Sequence, residues 1–312
     1  MKILLTGGCG YIGTNLTEAL LDLGHHVTVV DIMWFGNYLK PHKNLDITQA
    51  DIRDIDKIPM DGVDTVIHLA NIANDPTGDL NARLTWEVNA LSSKFLIEKA
   101  MEKKVKKFIF ASSGSVYGIK EELQVTEDLP LVPITDYNKT KMISESVLLS
   151  YRDKITLYII RPATVCGYSP RMRLDLSVSL LTMHALTKGE ITVFGGKQIR
   201  PNIHMNDMVG VYLHLLDLDS EDAGIYNAGF ENISILDIAN KVSDQIPSEI
   251  VVTESDDPRS YRLNSDKLLK TGFRPKWNVE NGIHDVIKAY QEGKLEAEDR
   301  YYNMKIMMQL FG

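Results

Sequence analysis

Residues 2–31 read KILLTGGCGYIGTNLTEALLDLGHHVTVVD, and their pattern predicts the architecture of the first half of the chain. A short apolar run, KILLT, leads into a glycine-rich turn, which is followed by an amphipathic segment and a second β-branched run, HVTVVD. This order predicts a strand, a helix and a second strand parallel to the first. It is the repeating unit of a parallel sheet covered by helices on both faces.

The glycine-rich turn predicts a phosphate-binding loop. Gly7, Gly10 and Gly13 form G-x-x-G-x-x-G between the predicted strand and helix. The first glycine permits a tight turn, the second lets a pyrophosphate approach the backbone, and the third lets the helix pack against the strand. Asp31 ends the next strand, where its carboxylate can bind both ribose hydroxyls of NAD and repel the extra phosphate of NADP. We therefore predict NAD as the cofactor, with contacts from Gly7, Gly10, Tyr11, Ile12, Gly13 and Asp31.

The first half of the chain continues with short runs that are apolar on both sides, such as DTVIHLA and KKFIFAS, between longer helical patterns. Two later stretches lose this pattern, which indicates a second region. We predict an α/β fold, a doubly wound parallel (Rossmann) sheet with a smaller mixed α/β substrate lobe. Residues 1–166 and 203–232 are predicted to form the NAD-binding domain, and residues 167–202 and 233–312 the substrate lobe.

Composition excludes several classes of function. The chain has 312 residues and a net charge of −8, without a basic block, so binding to nucleic acid or to an anionic membrane is not expected. The N-terminus lacks a signal-peptide pattern and no run is long enough to span a membrane, so we expect a cytoplasmic protein. The two cysteines, Cys9 and Cys166, are too few for a disulfide framework or a zinc site, and no metal is predicted.

Three residues form a candidate catalytic group. Tyr137 and Lys141 are four residues apart on a predicted helix over residues 136–151, so their side chains share one face. A lysine ammonium stabilises a phenolate and can make Tyr137 a base near neutral pH. Ser113 follows the strand KKFIFAS at the carboxyl edge of the sheet, where it could donate a hydrogen bond to the oxygen being oxidised.

Six motifs together resemble the extended short-chain dehydrogenase/reductase family of NAD-dependent nucleotide-sugar epimerases and dehydratases. They cover nearly the whole chain, and they are the TGGCGYIG run, DIRD at 51–54, HLAN at 68–71, SSGSVYG at 112–118, YNKTK at 137–141 and RPATVCG at 161–167. The resemblance implies that the substrate lobe binds a nucleotide sugar. It also implies a homodimer formed through the helices near residues 86–103 and 136–151, although the apolar residues of these helices could equally belong to the core of one domain.

The resemblance implies further cofactor contacts. Asp51 and Ile52 would contact the adenine, and Asn89 would lie near the nicotinamide ribose. Without the family, Asp51 reads as an ordinary loop carboxylate and Asn89 as an amide on a helix face. The remaining contacts that the resemblance implies along the dinucleotide are Leu69, Ala70, Tyr137, Lys141 and Pro162.

The resemblance also implies substrate contacts. Arg200 in FGGKQIRPNIH and Arg259 in DDPRSYRLN resemble two arginines that clamp a substrate diphosphate, and a guanidinium matches phosphate oxygens in shape and charge. Ordinary salt bridges are the alternative for both. Arg171 and Arg173 are further candidates near the entrance, with a surface role as the alternative. The expected substrate contacts are therefore Asn74, Ser115, Thr164, Arg173, Arg200 and Arg259.

Members of this family begin by oxidising a sugar hydroxyl, usually at C4, with the tyrosine as base. The acidic residue of dehydratases and decarboxylases is absent, because Gly114 and Ser115 follow Ser113. Ser115 also stands where epimerase-reductases have a cysteine. Two fates of the ketosugar remain, which are its release or the return of the hydride to the opposite face.

The run RPATVCGYSPRMRLDL is similar to enzymes of bacterial capsular polysaccharide biosynthesis, and the chain resembles GDP-heptose 4-dehydrogenases in length and pattern. We therefore expect a GDP-sugar, GDP-D-glycero-alpha-D-manno-heptose, as the substrate of a 4-dehydrogenase. The first alternative is an NDP-sugar 4-epimerase of the UDP-glucose type. The second is a non-catalytic dinucleotide-binding sensor, which is disfavoured because Ser113, Tyr137 and Lys141 are all present.

Overall fold

The computed structural model describes residues 1–255 and 260–311. In these two ranges the strands are β1 (Lys2–Thr6), β2 (His26–Asp31), β3 (Leu45–Gln49), β4 (Thr65–His68), β5 (Lys107–Ala111), β6 (Thr156–Pro162), β7 (Thr164–Cys166), β8 (Glu190–Phe194), β9 (Ile199–His204), β10 (Gly224–Ala228), β11 (Glu231–Ser234) and β12 (Glu249–Thr253). The α-helices are α1 (Tyr11–Asp22), α2 (Asp75–Leu80), α3 (Ala82–Trp86), α4 (Ser92–Glu102), α5 (Asp136–Leu149), α6 (Ser177–Lys188), α7 (Met205–Asp217), α8 (Ile235–Gln245), α9 (Asp266–Lys270), α10 (Val279–Gln291) and α11 (Asn303–Phe311).

Seven strands form a parallel sheet in the order β10-β6-β5-β4-β1-β2-β3. The strand order reverses beside β1, which pairs with β2 on one side and with β4 on the other. Leu4 and Leu5 of β1 point to opposite faces of the sheet, and both are fully buried. The predicted doubly wound sheet is therefore confirmed, and its reversal creates a crevice at the carboxyl ends of β1 and β4.

The smaller lobe contains two short sheets, with strand orders β11-β9-β7 and β12-β8. Helices α6, α8 and α10 enclose its apolar core, which includes Ile191, Val193, Ile238, Val242 and Ile283. This arrangement confirms the predicted smaller mixed lobe. The predicted boundaries between domain and lobe fall within or at the ends of β7, β9 and β11, so the three-stranded sheet is shared by the two predicted regions.

The C-terminal helix α11 returns to the large sheet. It packs against α2, and Met307 is 3% exposed in the core formed by β4, β5 and α4. The Phe311 ring lies edge-on to Trp34, with 5.1 Å between the ring centroids. The sequence assigned this helix to the smaller lobe, whereas it contacts the first domain. In the part of the chain described above, no helix combines the length and apolar character needed to span a membrane.

A buried ion pair fastens α5 to the sheet. Arg161 of β6 donates to Glu145 of α5 over distances of 2.6, 3.0 and 3.2 Å. The Ser112 hydroxyl donates to the same carboxylate, and Arg161 also donates to the Tyr117 hydroxyl at 2.7 Å. The Tyr117 hydroxyl in turn donates to Asn227 of β10 at 2.8 Å. Because each charge has several hydrogen-bonding partners, the network holds α5 against the carboxyl ends of β5, β6 and β10.

Replacing Glu145 should strongly destabilise the protein. Glu145→Ala would leave the Arg161 guanidinium, which is 3% exposed, without its carboxylate partner. We expect the free energy of unfolding to fall by about 3–5 kcal/mol, the usual cost of breaking a buried pair from one side. Urea unfolding followed by circular dichroism measures this change. Lys57→Ala, which breaks an exposed pair with Asp54, is the control and should leave the unfolding midpoint unchanged. An unchanged midpoint for both variants would contradict a stabilising role for the buried pair.

Candidate active site

A cleft opens at the reversal of strand order and is lined by loops from both lobes. It brings together most of the residues that the sequence predicted for cofactor, substrate and catalysis. Those that line it are Gly7, Gly10, Tyr11, Ile12, Gly13, Asp31, Asp51, Ile52, Leu69, Ala70, Asn74, Ser113, Ser115, Tyr137, Pro162, Thr164 and Arg173.

The glycine turn is shaped for close approach. Gly7 has φ +74°, and a Cβ added there would lie 2.7 Å from the Ala70 nitrogen. A Cβ on Gly13 would lie 2.1 Å from the Gly7 oxygen, so neither position accepts a side chain. A Cβ on Gly10 would approach only the Gly7 oxygen, at 3.1 Å, and would otherwise enter open space on the cleft side. Because α1 begins at Tyr11, its N–H groups and positive dipole end face that space, which fits a pyrophosphate.

Asp31 is held in place at the rim of the cleft. Its carboxylate accepts hydrogen bonds from the backbone nitrogens of Cys9 at 3.0 Å and Met33 at 2.7 Å. Burial raises the pKa of the Asp31 carboxyl, and these two N–H donors oppose that rise. The carboxylate keeps acceptor capacity for ribose hydroxyls and would repel a phosphate. The residues present therefore fit NAD and disfavour NADP.

Ser113 and Tyr137 face the cleft from different elements. Ser113 follows β5, and its hydroxyl lies 2.7 Å from the Ser115 hydroxyl, which donates to the Asn138 side chain of α5. Tyr137 lies in the first turn of α5, where burial raises its pKa to about 12 and the Ser113 hydroxyl opposes that rise. A Cβ on Gly78 would lie 2.9 Å from the Tyr137 Cβ, so α2 fixes the tyrosine from its other side.

Lys141 is placed differently from the sequence argument. Its Nζ donates to the Ala111 carbonyl oxygen at 2.7 Å and lies 4.9 Å from the centroid of the Phe110 ring. Burial lowers the pKa of Lys141 to about 7, against a raising effect of Glu145. The cation whose field lowers the pKa of Tyr137 in the structure is Arg173. In the structure the positive charge that lowers the pKa of Tyr137 therefore comes from the smaller lobe.

A polar bridge closes the site beside the tyrosine. Arg173 donates to Asp175 at 2.8 and 3.1 Å, and the Asn74 amide donates to the same carboxylate at 2.9 Å. Asn74 has φ +75°, a strained value for a residue other than glycine, and its side chain caps α2 by accepting from the Thr77 nitrogen at 3.1 Å. The bridge connects a loop of the large sheet to a loop of the smaller lobe. The sequence analysis did not include Asp175 among the site residues. Its position two residues after Arg173 was the available signal for an ion pair between them.

Three of the predicted contacts do not line the cleft, and they are Lys141, Asn89 and Arg200. Asn89 lies in a π-helical turn, Glu87–Leu91, where its amide exchanges hydrogen bonds of 2.8 and 3.1 Å with the backbone of Ile72. It holds the loop that lines the cleft and does not itself line it. Arg200 is half-buried on β9, opposite Ile233 of β11, and is not one of the cleft residues. Arg259 lies outside the described residues.

Several residues that line the cleft were not predicted as part of it. Trp34 and Phe35 follow Asp31 by three and four residues, and their position after the second strand was the available signal. Asn303 comes from α11, at the other end of the chain, and no local pattern points to it.

Comparisons with known proteins agree with this geometry. The model of a family described as "NAD dependent epimerase/dehydratase family" matches residues 3–229. The UDP-glucose 4-epimerase of Lactobacillus helveticus is 28% identical over 333 residues, covering 96% of this chain and 100% of that protein. The UDP-glucose 4-epimerase of Halalkalibacterium halodurans is 30% identical over 312 residues, covering 89% and 91%. The UDP-glucuronic acid 4-epimerase of Bacillus cereus, solved with UDP-glucuronic acid and NAD, superimposes with a TM-score of 0.82 at 26% identity, covering 94% and 99%.

The low pKa of Lys141 should make stability depend on pH. Between pH 7 and the usual lysine pKa near 10, the unfolded chain binds a proton at Lys141 that the folded protein does not. The contribution of this residue to stability should therefore rise with pH across that window. We expect Lys141→Met to flatten the rise of the thermal midpoint between pH 7 and 9.5, measured by circular dichroism. Lys57→Met, at an exposed lysine, should keep the slope of the original protein, and an equal slope in all three proteins would refute the lowered pKa.

Proposed function

The chain belongs to the NAD dependent epimerase/dehydratase family, and we propose that it interconverts the C4 epimers of a nucleotide-linked sugar. It is an NAD-dependent enzyme of the extended short-chain dehydrogenase/reductase type. The observation that supports the proposal is that Tyr137 and Ser113 face the same cleft as the glycine turn and Asp31. A base and a hydroxyl donor thus lie where a sugar hydroxyl and a dinucleotide would meet.

The residues of the chain divide the chemistry between them. Bound NAD supplies the acceptor for the hydride that leaves C4. Tyr137 takes the proton of the C4 hydroxyl, and Ser113 donates a hydrogen bond to the same oxygen as it becomes a carbonyl. Arg173 favours the phenolate form of Tyr137, because a neighbouring positive charge stabilises it, and Lys141 would add to this effect in its protonated form. Epimerisation would be completed when the hydride returns to the opposite face of C4 and Tyr137 returns the proton to the C4 oxygen.

The environment of Gly114 supports this proposal over elimination or decarboxylation. A Cβ at that position would lie 3.0 Å from the Pro162 oxygen and 3.3 Å from the Tyr261 hydroxyl. A side chain at position 114 would therefore crowd both groups unless they moved by a few tenths of an ångström. Gly114 and Ser115, which follow Ser113, supply no acidic side chain for those reactions.

The relatives favour a UDP-linked sugar. Several curated relatives are named UDP-glucose 4-epimerases, and they do not support the expected GDP-heptose 4-dehydrogenase or a preference for GDP. We propose that Arg173 and Arg200, together with Arg259, hold the substrate diphosphate, and that Asn74, Ser115 and Thr164 contact the sugar. This assignment gives the acidic chain local positive charge for an anionic substrate.

Incubation with nucleotide sugars tests the proposed reaction. With UDP-glucose, UDP-galactose or UDP-glucuronic acid, we expect nuclear magnetic resonance to show a mixture of C4 epimers from one of them. NADH, followed by its absorbance, should not accumulate, because each hydride is returned to the sugar. A 4-keto product with accumulating NADH from a GDP-linked heptose would overturn the proposal in favour of the 4-dehydrogenase.

Tyr137→Phe should slow the reaction by about 10²-fold or more and leave NAD bound. Tyr151→Phe, which alters a tyrosine outside the cleft, is the matched control.

We also propose a homodimer, because α3 to α5 present an apolar face. Trp86, Leu91, Phe95 and Ile143 are between 36% and 48% exposed, and α4 packs beside α5. Large apolar side chains that are exposed on neighbouring helices are typical of a subunit interface.

Light scattering tests the proposed dimer. Phe95→Lys should convert the dimer to a monomer, because it places a charge in the centre of the apolar face. Leu123→Lys, at a residue that is 76% exposed elsewhere, should leave the mass unchanged. A dimer that persists in Phe95→Lys, or a monomeric original protein, would contradict this interface.

A further inference from the structure

A second polar group lines the cleft outside the catalytic residues, and it is centred on Arg171. The residue lies on the loop between β7 and α6 and is 2% exposed. Its Nη2 donates to the Asn303 side chain of α11 at 2.6 Å, and its Nη1 donates to the Met172 carbonyl oxygen at 3.1 Å. The guanidinium carbon lies 4.1 Å from the centroid of the Phe35 ring. The side chain is therefore fixed from three sides.

Arg171 has an unused hydrogen-bond donor and no direct ionic partner among the described residues. Its Nε is buried and has no hydrogen-bonding partner among the described residues. Both of its recorded acceptors are neutral, and no described carboxylate lies within ion-pair distance of it. A buried guanidinium with an unpaired N–H is energetically unfavourable unless an acceptor binds that N–H. An anionic acceptor forms the strongest hydrogen bond with it.

The loop that carries Arg171 is fastened to the phosphate-binding turn. The Tyr11 hydroxyl, in the first turn of α1, donates to the Gly167 carbonyl oxygen at 2.6 Å. Arg171, Gly10 and Asp31 line the same cleft. The guanidinium and the N-terminal end of α1 thus both supply positive potential to the adenosine half of the cleft.

We propose that Arg171 binds the pyrophosphate of NAD through its free Nε–H, and that α11 is part of the cofactor site. Asn303, which is 4% exposed, orients the guanidinium. The contact of Phe311 with Trp34 holds α11 beside the residues that follow Asp31. This inference depends on NAD as the cofactor and not on the sugar or on the fate of its keto form.

The proposal has a structural consequence for cofactor release. The dinucleotide would contact Arg171, which Asn303 of α11 holds in place. When the dinucleotide leaves, the Asn303–Arg171 hydrogen bond would no longer be reinforced by a bound phosphate. A bound pyrophosphate should in turn stabilise α11, because linkage between a ligand and a segment is reciprocal.

Binding of cofactor fragments tests the role of Arg171. We compare NADH, ADP-ribose and adenosine by calorimetry on the full chain with Arg171→Met, Arg171→Lys and the exposed control Arg152→Met. Arg171→Met should weaken the binding of NADH and of ADP-ribose by roughly tenfold to a hundredfold. It should leave the binding of adenosine unchanged, because adenosine has no pyrophosphate. Arg171→Lys should recover part of that loss. Equal weakening of adenosine, or unchanged ADP-ribose binding in a folded Arg171→Met, would overturn the pyrophosphate contact.

Release of NADH tests the role of α11. Fluorescence after mixing with excess NAD gives the dissociation rate, which we expect to rise by roughly tenfold in Asn303→Ala and in Phe311→Ala. Met308→Ala, at a residue that is 52% exposed on the same helix, should not change this rate.

A second measurement uses the unsubstituted protein, so it does not depend on whether the variants fold. Amide hydrogen exchange over residues 303–311 should slow when ADP-ribose is added, and equal exchange with and without it would overturn the inclusion of α11. These readouts need no sugar substrate, so they are independent of the proposed epimerisation.

Discussion

The Arg161–Glu145 ion pair determines where the chemistry takes place. Glu145 lies one helical turn after Lys141 and two turns after Tyr137, on the same side of α5. Its carboxylate is held by β6 through Arg161 and by the end of β5 through Ser112, the residue immediately before Ser113. A rotation of α5 would therefore break buried charged hydrogen bonds, which is strongly unfavourable. The placement of the base relative to the serine follows from this one contact.

The cleft contains charged groups of both signs. Asp31 lies at the end of β2 and is kept available by backbone donors. Arg173 lies beside the tyrosine, with Asp175 as its direct partner and Asn74 as the bridge. An acidic chain can bind an anionic ligand only by concentrating positive charge locally, and here most of it comes from the smaller lobe. The two lobes are therefore both needed for one site.

Sequence patterns predicted the parts of the site that local chemistry determines. Gly7, Gly13 and Asp31 were identified because the turn after β1 and the end of β2 have the same requirements in any chain of this topology. Asn89 was placed near the cofactor by family resemblance, but its amide is used to hold the loop at Ile72, which only the packed structure reveals. Asn303 could not be found, because it reaches the cleft through tertiary contacts of the C-terminal helix. Long-range contacts leave no periodic signal in the sequence.

The π-helical turn Glu87–Leu91 has a consequence for how this segment can change during evolution. A π turn accommodates one more residue than an α turn, and so it sets the rotational phase of α4 relative to α3. In this phase Asn89 points inward to Ile72, while Leu91 and Phe95 point outward. Removing one residue from the turn would restore α-helical spacing, so that Asn89 and the outward residues Leu91 and Phe95 could no longer keep their present relative directions. The length of this segment is therefore under tighter constraint than the identity of most of its residues.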